Sequence, residues 1–195
     1  MLKIQSVSGE ALKDYIPALA ALRIRVFREF PYLYDGDLAY EEAYLNTYVQ
    51  APDSVIVLVF DGEDVVGAST AIPMAKETVE FKQPFVDAGY NPDEIFYCGE
   101  SVLLSQYRGQ GVGVAFFEQR EAHAAKLGGF KYSCFCAVDR PEDHPRRPAD
   151  YEPLDRFWQK RGYQKTPALA TTYSWKDLDE AEQSAKPMTF WMKRL

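Results

Sequence analysis

Three glycines, Gly109, Gly111 and Gly113, stand one residue apart in the stretch LLSQYRGQGVGVAFF, directly after Arg108. A glycine-rich turn that opens a helix gathers unpaired backbone N–H groups and the positive end of the helix dipole at one place, so the chemistry of this joint is anion binding, phosphate above all. Spacing sorts the phosphates. A dinucleotide fingerprint needs G-x-G-x-x-G, but the last position falls on Val114 counted from Gly109 and on Phe116 counted from Gly111. A P-loop needs Gly-Lys followed by Ser or Thr, which occurs nowhere in the chain. What remains is R-x-x-G-x-G, Arg108 to Gly113.

Two further groups carry reactive side chains. Glu100 lies in the apolar run before the joint, where burial raises a carboxylate's pKa toward the range of a general base. The same placement also suits one half of a structural ion pair, or a solvated strand face. Tyr32, Tyr34, Asp35, Tyr40, Glu41 and Tyr44 crowd one region, and aromatic faces with carboxylates suit a cationic amine as well as ordinary packing. Metal chemistry finds no support. His123 and His144 are the only histidines, and neither has a Cys or His at ligand spacing. His123 reads as a packed or hydrogen-bonded histidine, not a base.

The elements that must position these residues follow from periodicity. LKIQSV alternates like a strand, and EALKDYIPALAALRIRVFREF has helical spacing, with Pro17 near its start. LAYEEAYLNTYVQ sets Tyr40, Tyr44 and Tyr48 on one stripe of a helix. SVIVLVF and VVGASTAI form a hairpin around Asp61–Asp64, and residues 73–95, with three prolines, cross the surface as a loop with one short helix. IFYCGESVLL is a strand, VGVAFFEQREAHAAKLGG a helix closed by glycine, and KYSCFCAV a central strand. The short helix LDRFWQKR, the strand ATTYSW, a charged segment and the strand MTFWMKRL complete the chain.

At 195 residues and 47% apolar content the chain can bury one sizeable core. A formal charge of −7 argues against a partner that is a nucleic acid. The start MLKIQSV has no secretory pattern, and no stretch approaches the roughly 18 uninterrupted apolar residues of a membrane span. A soluble, cytoplasmic protein without a membrane partner is therefore expected. Cys98, Cys134 and Cys136, odd in number, read as reduced core thiols.

In its setting the glycine joint resembles the GCN5-related N-acetyltransferase (GNAT) family, in which this loop wraps the pyrophosphate of acetyl-CoA. The setting is a strand ending in V-L-L, Tyr107 before the arginine, the helix, the next strand, and the Gly-Tyr of FWQKRGY. It covers residues 55–165, and the remainder matches by element order. The resemblance implies an α/β (α+β) fold: a single mixed, mostly antiparallel sheet flanked by helices, whose splayed central strand pair binds acetyl-CoA. It implies one acetyltransferase domain over residues 1–195, with acetyl-CoA as cosubstrate and no metal. The implied reaction is transfer of acetyl to a primary amine of a small molecule or peptide by direct attack on the thioester. A homodimer through the C-terminal strands rests on the resemblance alone.

The same resemblance distributes roles. The backbone of Val102, Leu103 and Leu104 would bond the pantetheine arm, with the Leu103 N–H as oxyanion donor. Arg108, Gly109, Gln110, Gly111, Val112 and Gly113 would hold the pyrophosphate, Glu100 would be the base, and Tyr32, Tyr34, Asp35 and Tyr40 would line the acceptor pocket. Many members carry Tyr four residues before the glycine of the Gly-Tyr pair, near the sulfur. Here Trp158 stands there, and its indole N–H does not ionise usefully. The Asn often seen seven residues earlier is replaced by Tyr151, which would supply the hydroxyl instead. These two departures keep open an alternative, a non-catalytic acyl-CoA-binding module of the same fold.

Overall fold

The computed structural model describes residues 1–195. Strand β1 (Lys3–Val7), a 3-10 segment (Gly9–Tyr15) and helices α1 (Ile16–Phe27) and α2 (Leu38–Gln50) lead into the hairpin of β2 (Val55–Asp61) and β3 (Asp64–Pro73). Pro17 lies in the first turn of α1, where a missing N–H removes no helical bond. Asp37 caps α2 by accepting from the Tyr40 N–H at 2.8 Å. Helix α3 (Val79–Asp87), strand β4 (Ile95–Leu103), helix α4 (Val112–Leu127), strand β5 (Tyr132–Val138) and helix α5 (Asp155–Lys160) follow, then β6 (Gln164–Trp175) and β7 (Ser184–Arg194).

The strands form one seven-stranded sheet in the order β1-β2-β3-β4-β5-β7-β6. Every neighbouring pair is antiparallel except β4 and β5, which run parallel and pair only over Ile95–Tyr97 and Tyr132–Cys134. Beyond that, β4 stays on β3 as far as Leu103 while β5 stays on β7 as far as Val138. The central pair therefore opens into a V whose inner edges carry unpaired backbone groups. Helices α1, α2 and α3 cover one face through Leu19, Leu45, Tyr48, Phe81 and Phe85, and α4 and α5 cover the other around Phe96, Phe117, Phe135 and Trp191.

A β-bulge fixes what β4 shows to each face. Ala71 pairs with Cys98 but Ser69 with Ser101, so β4 carries one extra residue at Gly99–Glu100. Side chains alternate along a regular strand, and one extra residue inverts the alternation beyond it. Tyr97 and Val102, five positions apart, accordingly share the α1 face, and Leu103 turns to the α4 face. Glu100 takes the parity of Val102. The bulge is pinned from three sides. The Glu100 N–H donates to Thr70 Oγ1 at 3.3 Å, and Arg120 of α4, 2% exposed, donates to the Glu100 carbonyl at 3.2 Å. Gly99 leaves room for the Tyr48 hydroxyl, since a Cβ there would run into it and lie 2.7 Å from Thr70 Oγ1.

Strands β6 and β7 are longer than periodicity predicts. Pro167 falls inside β6, but β6 is an edge strand with an irregular register between Thr166 and Ala170, where proline is tolerated. The three cysteines are buried free thiols, and His123 Nε2 meets the Asp53 carbonyl at 3.1 Å. No helix is long and apolar enough to cross a membrane.

Candidate active site

On the α4 face the glycine joint forms a ring of donors. Gly109 and Gly111 adopt φ of 77° and 83°, the left-handed region that glycine enters without a Cβ penalty. The Gly111 carbonyl receives the Val114 and Ala115 N–H groups at 3.0 and 3.1 Å, which starts α4. The five N–H groups from Gly109 to Gly113 donate to no backbone acceptor, and they sit where the helix dipole adds positive potential. Such a cradle fits a pyrophosphate. Gly113 serves a different purpose: a Cβ there would come within 3.1 Å of the Phe157 ring, so it lets α5 pack against α4. Arg108 folds back, its Nη2 reaching Glu29 at 2.8 Å and the Leu103 carbonyl at 3.2 Å.

Backbone direction narrows the donor contacts on β4. The Leu104 N–H is committed to Val66 of β3 at 3.1 Å. Because N–H groups alternate along a strand, Val102 also points at β3, while Ser101 and Leu103 point into the V. Of the three backbone positions expected to meet a pantetheine arm, Leu103 turns its N–H into the V, while Val102 and Leu104 turn theirs to β3.

On the opposite face, β4 borders a buried acidic cluster. Arg23 of α1 forms ion pairs with Glu41 of α2 and with Glu100. The side chains of all three are at most 10% exposed. Its Nη1 lies against the Glu100 carboxylate. The guanidinium also stacks over Tyr44 at 4.6 Å and Phe27 at 5.2 Å. Burial works against its charge, but Glu100 leads the groups that more than restore it, so its pKa lies above the ordinary arginine value. Glu100, the candidate base, is thus also one half of a buried ion pair, the alternative its sequence context left open. From Tyr44 the hydroxyls run to Tyr48 at 3.3 Å and on to Thr70 at 3.1 Å, which in turn supports Glu100 N–H.

Glu77 completes the cluster from the turn after β3. It is 5% exposed and has no ion-pair partner; its carboxylate accepts only from the adjacent Thr78 N–H, at 3.1 Å. Burial, opposed by that N–H and reinforced by the Glu100 charge, pushes its pKa up to about 7. Sequence reasoning passed over both Glu77 and Arg23. Arg23 did leave a signal, a cation at i+4 from Leu19 and i+7 from Ile16 on the buried stripe of α1. Glu77 left none, since AKETVE has the composition of any exposed turn.

The expected acceptor residues separate. Tyr32 is partly buried and packs against the core; burial pushes its pKa up, the Cys136 thiol and the Glu100 charge reinforce this, and the Val138 N–H at the open end of β5 opposes it. Tyr34 is half-buried, raised first by burial and then by hydrogen bonding to Glu41. Asp35 is paired with Lys176 at 2.8 Å and Arg28 at 3.5 Å, and its pKa is lowered chiefly by the Lys176 hydrogen bond. Tyr40 is 46% exposed and bonds the Tyr173 hydroxyl at 2.8 Å. Tyr151 packs edge-on against Phe30 at 4.7 Å beneath Arg147 and makes no side-chain hydrogen bond. Trp158 is wedged between Phe135 and Trp191, each 5.0 Å away.

A rigid rim frames this face. Asp35 N–H bonds the Lys176 carbonyl and Leu178 N–H the Leu33 carbonyl, both at 2.9 Å, which joins the α1–α2 and β6–β7 loops. Arg140, beyond β5, donates to the Pro31 and Tyr32 carbonyls at 2.8 and 2.9 Å and pairs with buried Asp177.

No protein-family model matches the chain. No curated protein matches it either. Solved structures do. An acetyltransferase from Thermus thermophilus is 17% identical with a TM-score of 0.56, the match covering 100% of this chain and 97% of that one. A ribosomal-protein-alanine N-acetyltransferase from Brucella melitensis is 12% identical with a TM-score of 0.63 over 99% of both chains. NAA60 of Arabidopsis thaliana, solved in complex with acetyl-CoA, is 11% identical with a TM-score of 0.63 over 100% of this chain and 99% of that one. The fold is the GNAT fold: one mixed seven-stranded sheet flanked by helices, as in these acetyltransferase structures.

Proposed function

We propose that this GNAT-fold chain is an acetyl-CoA-dependent N-acetyltransferase whose acceptor is a primary amine of a small molecule or peptide, bound as a cation. The observation that carries the reading is the placement of two complementary sites on opposite faces of one strand. The cradle of Gly109–Gly113 and the Leu103 N–H address a thioester donor, and the acidic cluster of Glu41, Glu77 and Glu100 addresses an ammonium. The V between β4 and β5 is the passage between them.

In this reading the pyrophosphate lies on the free N–H groups at the start of α4, and the pantetheine arm runs along the inner edge of β4. The Leu103 N–H stabilises the oxyanion that develops as the amine attacks the carbonyl carbon. The leaving thiolate, with a pKa of about 8.5, departs without a strong acid, since Trp158 is packed and does not ionise. Acid catalysis contributes typically about 10²- to 10⁴-fold, so its absence slows the reaction without abolishing it. The same feature favours the second reading, a module that binds acyl-CoA and does not turn it over.

Calorimetry with acetyl-CoA, followed by thiol release with polyamines, amino acids and short peptides, tests both. Saturable binding with release of free thiol supports the enzyme; binding without turnover of any amine supports the module. No binding of CoA or acetyl-CoA removes both.

A further inference from the structure

Once Arg23 is assigned to Glu41 and Glu100, one buried carboxylate is left over. Three acids, Glu41, Glu77 and Glu100, meet one guanidinium. Ionised together they leave a net charge of −2 in a low-dielectric cluster, which the protein does not neutralise. The groups facing Glu77 come from every side: Arg23 of α1, Tyr44 and Tyr48 of α2, Lys82 of α3, Tyr97 and Glu100 of β4, Cys134 and Cys136 of β5, and Tyr173 of β6. Burial and the nearby negative charge raise the pKa of the Tyr44, Tyr48, Tyr97 and Cys136 groups, so they stay protonated and accept no proton near neutral pH. Lys82 is occupied by the Ala75 carbonyl at 3.3 Å. The Tyr97 hydroxyl meets Cys136 Sγ at 3.3 Å where β4 and β5 part, and Glu77 is near enough for its charge to raise the pKa of both groups.

One unsatisfied group points to a guest: Glu77 is only 5% exposed yet bonds only its own neighbour. Buried polar groups are rarely left this way unless something else completes them. An ammonium supplies three donors and a positive charge, which matches the missing partner of Glu77.

We propose that Glu77, and not Glu100, receives the proton of the acceptor's ammonium and holds the amine at the mouth of the V. The inference rests on the acetyltransferase reading given above. The ammonium gives one proton to the Glu77 carboxylate, and the freed nitrogen pair forms the N–C bond to the acetyl carbon. The C–S bond breaks with its pair going to sulfur. A second proton from the amine nitrogen ends on the thiolate to give CoA, and Glu77 returns its proton to solvent. A carboxyl that titrates near neutrality is suited to this exchange, whereas one clamped to a guanidinium is not.

The test uses the full chain and the amine of highest turnover among spermidine, lysine and tetrapeptides with a free α-amino group. The pH dependence of kcat/KM is measured for wild type, Glu77→Gln, Glu77→Asp and Glu100→Gln, with acetyl-CoA affinity measured for each. The expected result is a wild-type rate that rises through an inflection near pH 7, as the Glu77 carboxyl ionises. Glu77→Gln should lose that inflection and about 10²- to 10⁴-fold in rate at neutral pH, recover partly at high pH, and keep its acetyl-CoA affinity. Glu77→Asp should keep an inflection at reduced rate. A wild type that turns over while Glu77→Gln keeps both rate and inflection overturns this assignment alone. A wild type that acetylates no amine overturns the enzyme reading and this assignment with it.

Discussion

At the scale of single residues, the site is governed by one buried cation. Arg23 answers two carboxylates from two other elements, so its removal leaves like charges facing one another without water. Breaking such a pair by taking out one partner costs about 3–5 kcal/mol. Arg23→Met should therefore lower the denaturation midpoint strongly, and a chemical melt with an unchanged midpoint would show that the pair contributes nothing. Glu77 carries the opposite dependence. Its carboxyl titrates near 4.5 when solvated and at about 7 when folded. Between those values the folded chain binds more protons than the unfolded one, so stability is greatest below the lower value and falls as pH rises through the upper one, by roughly 3 kcal/mol. Glu77→Gln should flatten that descent, melting like wild type at acid pH and above it at about pH 8, as followed by calorimetry across pH. The sequence exposed Glu100 as a candidate base, but its ion pair is made by α1, nearly eighty positions away, and no local pattern encodes such a meeting.

At the scale of elements, the glycines divide by function. Gly109 and Gly111 are needed for their dihedrals, and a left-handed conformation costs a residue with a Cβ about 1–2 kcal/mol. Gly111→Ala should weaken acetyl-CoA binding by tilting the N–H groups of the cradle, measured by calorimetry. Gly99 is needed for space, because a methyl group there would displace the Tyr48 hydroxyl from Thr70. Gly99→Ala should destabilise by about 1–3 kcal/mol, as overpacking does, and should lower turnover more than acetyl-CoA affinity. Periodicity placed nearly every helix and strand, and the GNAT resemblance placed the V. Neither reached the bulge, because GESVL alternates acceptably in two registers, and only pairing with β3 decides which one turns Glu100 toward α1.

At the scale of the whole molecule, the sheet separates the glycine cradle on the α4 face from the acidic cluster on the α1 face, and the proposed reaction needs both. Acetyl-CoA should stabilise the fold by mass action, about 2.7 kcal/mol at a concentration roughly one hundred times Kd, which for a chain of this size raises Tm by roughly 5–10 °C. Thermal shift with and without the nucleotide reads this directly, and an unmoved Tm at saturation would falsify binding to the folded state. The rim built from Arg140, Asp177 and the paired loops was invisible in sequence, since its partners come from three separated stretches.

Arg120 crosses that division. It is a buried cation with no carboxylate, held by the carbonyls of Phe116, Thr70 and Glu100, and it belongs to the helix whose first turn cradles the donor. Its position makes it a register lock. If Arg120 is replaced by Met, β4 loses the clamp that favours the bulged pairing over the regular one. A slip of one residue would send Glu100 to the α4 face and place Ser101 among the tyrosines. Two alternative sheets would then share one sequence, one with Glu100 in the buried acidic cluster and one without. Amide exchange at Glu100 and Val102, whose N–H groups face β3 in the locked strand, is slow there and fast in one that slides, which distinguishes them.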